Sequence, residues 1–213
     1  HVIVDETGLN SKVHDRMVYL SKECHALFKV QDFTDVSVWD CIERDKERPN
    51  PVGRQVILQM YERYLKPAPI KYDVALPKCI IVDIDGTLAI NGGHRGWYEW
   101  DQVYDDRVNP YVRTYVQDMA AYGHVIVIFS GRDGSCLGLT EQWLDDNHIP
   151  HDIVALRESG DNRKDAVVKR ELFDKHVQGV YNPVLVLDDR QQVVDMWRHD
   201  LNLQVWQVGE GNF

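Results

Sequence analysis

The amino-acid sequence predicts the α/β class: a parallel sheet covered by helices on both faces, preceded by a small, incomplete α/β segment. Two observations carry this. From residue 79 onward, short runs rich in β-branched residues alternate with segments of helical period, the rhythm of successive βαβ units. The runs CIIV, HVIVIF and VLVL are apolar almost throughout, as strands buried on both faces are.

Taken in order, CIIVDI (79–84) is the first strand and ends just before Gly86. A helix follows over VNPYVRTYVQDMAAYG (108–123), where Asn109 can cap, Pro110 takes the first position and Gly123 ends the run. HVIVIF (124–129) is the second strand, LTEQWLDDN (139–147) a helix, DIVAL (152–156) the third strand and KDAVVKRELFDKHVQ (164–178) a further helix. VLVL (184–187), QQVVDMWRHDL (191–201) and LQVWQV (203–208) complete a Rossmann-like order of strand, helix and strand. Upstream, HVIVDE (1–6) and FKVQDF (28–33) read as strands that can pair, with helices over 10–27, 36–44 and 51–65. Between the two pieces, Pro67, Pro69 and Pro77 favour an extended connector. The expected division is therefore 1–66, a linker over 67–78, and 79–213.

With 213 residues, 44% of them hydrophobic, the chain can bury a core. A formal charge of −10 excludes broad coating of nucleic acid by a basic face, yet leaves room for binding one phosphate. Cysteines 24, 41, 79 and 136 form no C-x-x-C pair, so reduced thiols and a cytoplasmic location are expected. No apolar run reaches membrane length, and no membrane partner is expected.

The first strand ends in two aspartates, Asp83 and Asp85, where an uncompensated buried carboxylate costs several kcal/mol, on the order of the penalty for any buried ion. Residues i and i+2 of a strand point to one side, so the two are expected to converge at the carboxyl edge of the sheet, where ligands of open α/β folds sit. Later strands deliver complementary groups to that edge: Ser130-Gly131-Arg132, then Lys164 opening a helix, then Asp188-Asp189. A hydroxyl, cations and two acidic pairs suit phosphoryl transfer assisted by a hard cation with oxygen ligands, magnesium above all.

In order, D-x-D-G-T, Ser-Gly-Arg, Arg-Lys-Asp and Asp-Asp resemble the four motifs of the haloacid dehalogenase superfamily of phosphotransferases. The resemblance implies Asp83 as nucleophile forming an aspartyl phosphate and Asp85 as acid and base. Ser130 and Lys164 would hold phosphoryl oxygens, Lys164 also screening Asp83. Asp83, Asp85 through its carbonyl, Asp188 and Asp189 would hold Mg2+. The stretches GDNRKDAVVK, LDDRQQVVDMWR and VWQVGEGNF further resemble the phosphatase half of phage-type polynucleotide kinase/phosphatases, over residues 79–213. That family implies removal of 3′-phosphates from DNA or RNA ends, with Arg95, Arg132 and Asp161 taking part. It also implies nucleic-acid ends as partners, a functional link to a ligase, and room for a homo-oligomer. A phosphatase of free nucleotides or other small phosphomonoesters is the alternative, and a catalytically silent end-binding module a further one.

Residues 1–66 resemble the latter half of the kinase domain that precedes this phosphatase in the family, with Arg44 and Arg48 in a lid-like segment. No G-x-x-x-x-G-K-[ST] occurs in the sequence, so 5′-kinase activity is expected only where an upstream P-loop segment exists. Asp161 could instead cap the helix after it, and Arg95 could be a solvated loop residue. Trp97, Tyr98 and Trp100 suit either a terminal nucleobase or the packing of a small cap. Trp143, Trp197 and Trp206 read as core.

Overall fold

The apolar run at residue 79 forms the central strand β1 (Lys78–Val82) of the structure, a computed structural model that describes residues 9–33, 36–66 and 70–211. After a short antiparallel pair, β2 (Ala89–Ile90) and β3 (Arg107–Val108), come α4 (Pro110–Ala121), β4 (Val125–Asp133), α5 (Leu137–Asp146) and β5 (Ile153–Arg157), three helices preceding β1. They are followed by α6 (Asp165–His176), β6 (Asn182–Arg190), α7 (Gln191–Asp195) and β7 (Val205–Gly211). The five long strands make one parallel sheet in the order β5-β4-β1-β6-β7.

Alternation along β1 explains the two-faced core. Cys79 and Ile81 pack with Phe173, Val177, Val193 and Trp197, from α6, α7 and their extensions. Ile80 and Val82 pack with Val112, Val116, Trp143 and Leu144 from α4 and α5 on the other face. Each such aliphatic side chain, fully buried, contributes about 1.5 to 3 kcal/mol relative to exposure. The caps act as expected: the Asn109 side chain accepts from the Tyr111 N–H, Pro110 opens α4, and Gly123 takes a φ of +84° just past its end. Trp206 departs from the expected core: it is 49% exposed and packs one face on Tyr115, because it lies on an edge strand.

Contacts divide the chain into two units, residues 1–67 and 68–213. In the first, α1 (Ser11–Glu23) is capped by Asn10, α2 (Val38–Lys46) by Ser37, and α3 (Arg54–Tyr64) follows. The buried Asp45 carboxylate accepts the N–H groups of Val52 and Gly53, closing the turn between α2 and α3. HVIVDE lies outside the described residues. FKVQDF is not a strand: residues 28–33 have no regular structure, and Val30 and Phe33 are exposed, since the described part of this unit offers no strand to pair with. In the second unit, the segment over 70–77 lies at the amino ends of β1 and β6, where Asn182 accepts the Asp73 N–H and donates to the carbonyls of Asp73 and Leu76. Among the described residues, no helix is long and apolar enough to cross a membrane.

Candidate active site

Parallel pairing of Val82 with Leu187 makes Asp83 and Asp188 neighbours one residue further along, at the carboxyl ends of β1 and β6. Asp83 continues the face of Cys79 and Ile81, which α6 covers. There Lys169 meets it: the ammonium lies 2.6 Å from Asp83 Oδ1 and 2.9 Å from Asp188 Oδ2. All three are buried. Burial opposes the lysine's charge, but Asp188 and then Asp83 outweigh it and hold Lys169 well above its usual range. Asp83 is pushed well above the usual carboxylate range by burial, with Lys169 pulling down and Asp188 and Asp189 pushing further up. Its Oδ2 accepts from the Thr87 hydroxyl at 3.2 Å, so both oxygens are oriented.

Asp85 stands at the same strand end, but other cations hold it. Arg132 is bidentate, Nε to Oδ2 at 2.9 Å and Nη2 to Oδ1 at 2.8 Å, and Arg95 adds Nη2 to Oδ1 at 2.9 Å. Burial would raise Asp85, but Arg132 and then Arg95 hold it below the usual carboxylate range. Both arginines also reach Asp106, which accepts from Arg132 at 2.6 Å and from Arg95 at 2.8 and 2.9 Å. The indole N–H of Trp143 donates to the Asp106 carbonyl, tying this square of charges to α5. The expected convergence of Asp83 and Asp85 is thus one of place, with their carboxylates assigned to separate cations. Because the Asp85 carboxylate is taken by guanidinium groups, its carbonyl is the oxygen left for a metal.

Ser130 is buried where β4 runs on through Ser-Gly-Arg, and its Oγ accepts the Arg132 N–H. Gly131 leaves room for Asp165: a Cβ there would lie 2.8 Å from the Asp165 Cγ. Asp165 pairs with Arg157 and Arg190. Gly86, at φ +83°, plays the same part for Asp189, whose Cγ would lie 2.6 Å from an added Cβ. Carboxylate oxygens of Asp83, Asp188 and Asp189 lie within 4.8 Å of one another. Asp188 also accepts from the Trp197 indole N–H and the Arg190 N–H.

Two of the expected residues sit elsewhere. Lys164 is exposed at the N-cap of α6, and the lysine placed on Asp83 is Lys169, because α6 turns the row of Lys169, Phe173 and Val177 inward. Asp161 accepts from the Arg163 N–H and guanidinium, which hold it down to about 2, and its carbonyl accepts from Arg157. Its carboxylate therefore organises the turn before α6. Lys169, Asp106, Asp165 and Arg157 were not picked out by sequence reasoning. The available signal for Lys169 was its row: Asp165, Lys169, Phe173 and Val177 are four residues apart, and the last two are fully buried.

Arg132→Ala is expected to lower turnover by about 10²- to 10³-fold, as loss of a preorganised charge donor does. Arg95→Ala should cost less, since it leaves the bidentate contact to Asp85. Steady-state kinetics of the two variants check the order.

A family model described as the polynucleotide kinase PNKP phosphatase domain matches residues 77–213. A protein of Autographa californica nuclear polyhedrosis virus, named as a bifunctional polynucleotide kinase/RNA ligase, is 30% identical over 207 residues, which are 93% of this chain and 30% of that protein. The chain thus spans less than a third of that relative's length. Two solved structures are also similar. One, of the Pnkp1/Rnl/Hen1 RNA repair complex, matches at 31% identity and a TM-score of 0.64, covering 95% of this chain and 71% of that one. The other, of a Pnkp1/Rnl/Hen1 complex, matches at 32% and 0.65, covering 100% and 73%.

Proposed function

This chain belongs to the family of polynucleotide kinase phosphatase domains, of the haloacid dehalogenase type, and from that premise we propose that it removes 3′-phosphates from DNA or RNA ends. The observation that carries the reading is the division of labour at one strand end: Lys169 bridges Asp83 and Asp188 while two arginines hold Asp85.

An Asp83 oxygen forms a bond to phosphorus as the bond from phosphorus to the sugar 3′-oxygen breaks; Asp85, held ionised by Arg132 and Arg95 before substrate binds, takes up the acidic proton of the bound phosphate monoester and passes it to the leaving oxygen. Asp85 then takes a proton from a water that attacks the aspartyl phosphate at phosphorus, which frees Asp83 and inorganic phosphate. Ser130 and Lys169 hold phosphoryl oxygens; Arg132 and Arg95 position Asp85. Asp83, Asp188 and Asp189 fit magnesium: among the described residues, only Asp83 and Asp188 of these three buried carboxylates contact a cation, the single ammonium of Lys169, which leaves an all-oxygen set with surplus negative charge. When bound, the ion would neutralise charge on the carboxylates and on the phosphoryl oxygens facing them. The similarity to RNA repair assemblies and to a kinase/RNA ligase supports a place in nucleic-acid end repair beside a ligase.

Phosphate release from a 3′-phosphorylated oligonucleotide, a 3′-mononucleotide and an aryl phosphate tests the reading. The oligonucleotide should be preferred in kcat/KM; equal or better turnover of the mononucleotide would assign the chain to small phosphomonoesters.

Residues 1–66 are read as the latter part of a P-loop kinase domain, joined through 67–78 to the phosphatase at 79–213. Without a phosphate-cradling loop and its lysine, the 213-residue polypeptide should transfer no phosphate from ATP to a 5′-hydroxyl oligonucleotide. Labelled ATP checks this, and measurable transfer would refute the assignment.

A further inference from the structure

The loop that carries Arg95 ends in a tight turn with two large aromatic residues at its tip. The Glu99 N–H donates to the Gly96 carbonyl at 3.3 Å, which closes a four-residue turn and puts Trp97 and Tyr98 at its two central positions. The Glu99 carboxylate locks the same turn from the other side, accepting the Gly96 N–H at 2.6 Å and the Gln102 side-chain amide at 3.4 Å. Before the turn, the Asn91 side chain accepts the Arg95 N–H and donates to its carbonyl. The backbone is therefore held at both ends, and no ordering of the turn remains to be done when a ligand arrives.

Central turn positions favour Gly, Pro, Asn, Asp and Ser, each for a conformational reason. Trp97 and Tyr98 supply none of these. Nor do they serve as core, being 57% and 84% exposed. Trp100, by contrast, is partly buried, and meets Tyr98 edge-on at 6.0 Å between ring centroids. Trp100 is thus the most buried of the three, while most of the ring surface of Trp97 and Tyr98 faces solvent.

The turn stands beside the reacting group. The Arg95 guanidinium, 2.9 Å from Asp85, also donates to the Gly96 carbonyl at 3.4 Å. Trp97 and Tyr98 follow within two Cα steps of about 3.8 Å each. A nucleoside whose 3′-phosphate sits at Asp83 brings its base toward this rim. With a net charge of −10, the chain has little to offer the phosphate backbone, whereas aromatic faces hold bases of any identity.

We propose that Trp97 and Tyr98 form a preorganised stacking platform for the base that bears the terminal 3′-phosphate. The inference rests on the phosphatase reading and names how that site selects nucleic-acid ends. It is tested with the double variant Trp97→Ala/Tyr98→Ala and the conservative Trp97→Phe/Tyr98→Phe. Each is assayed on a 3′-phosphorylated tetranucleotide and on the same strand ending in an abasic sugar 3′-phosphate. The advantage of the base-bearing end over the abasic end, in KM, should shrink by about 5- to 150-fold in the alanine variant, the span of one stacked base. The phenylalanine variant should restore most of it. An undiminished advantage, or equal loss on both substrates, would overturn the platform. Absence of turnover on every 3′-phosphorylated end by the unsubstituted protein would refute the phosphatase reading instead. Quenching of tryptophan emission by the tetranucleotide then decides the platform: it should be lost in Trp97→Phe, and its persistence would overturn the inference.

Discussion

Asp83→Asn is expected to reduce phosphate release on the order of 10⁴- to 10⁶-fold, the range seen when a catalytic nucleophile is removed. The amide oxygen is a poor nucleophile, and the adduct it would form cannot be recycled as an acyl phosphate can. The substitution should not unfold the protein. Burial together with Asp188 and Asp189 disfavours the charge on Asp83, so a neutral amide relieves repulsion, while its oxygen can still accept from Lys169. The melting temperature should therefore stay level or rise as activity disappears. With a 3′-³²P-labelled end, acid quenching should leave label on the unsubstituted protein and none on the variant; comparable residual turnover would sink the covalent route.

Lys169→Met is the second large effect, and it should strike stability and activity together. Asp83 and Asp188 share this ammonium, and all three side chains are nearly or fully inaccessible. Breaking a buried ion pair by deleting one partner costs about 3 to 5 kcal/mol, because the orphaned charge remains in a poor solvent. For a chain of this length that is a fall in Tm of roughly 10 °C. Magnesium should recover part of the loss in thermal melts, since it would supply the missing positive charge. Activity should fall at least about 10²-fold. Lys164→Met, on the exposed N-cap, is the control, and a larger effect there than at Lys169 would reverse the assignment.

The contrast between these lysines shows what the sequence made legible. Groups fixed by strand ends were readable, because the turn out of a parallel strand puts a motif at a known edge: Asp83, Ser130, Arg132, Asp188 and Asp189 all lie there. Groups delivered by a helix depended on which of its rows is turned to the sheet. Lys164 and Lys169 are five residues apart, so on a helix they point about 140° away from each other, and only the packing of α6 on the sheet decides which of them faces inward. Asp106 had no local signal: it follows Asp101 and Asp105 in an acidic stretch, and only the folding of two distant arginines onto it distinguishes it from them. FKVQDF failed for a related reason, since alternation can propose a strand but cannot provide its neighbour.

Helix α6 carries Asp165 and Lys169 one turn apart, separated by about 6 Å of axial rise. It therefore behaves as a rigid lever with two working points. At one, Asp165 sits in the clearance left by Gly131 and grips Arg157 and Arg190; at the other, Lys169 bridges Asp83 and Asp188. Even a methyl group in that clearance would push on the first point and tilt the rod, lifting the ammonium from Asp83 without touching either residue. The meeting of Lys169 with Asp83 is thus geared to a glycine that touches neither of them.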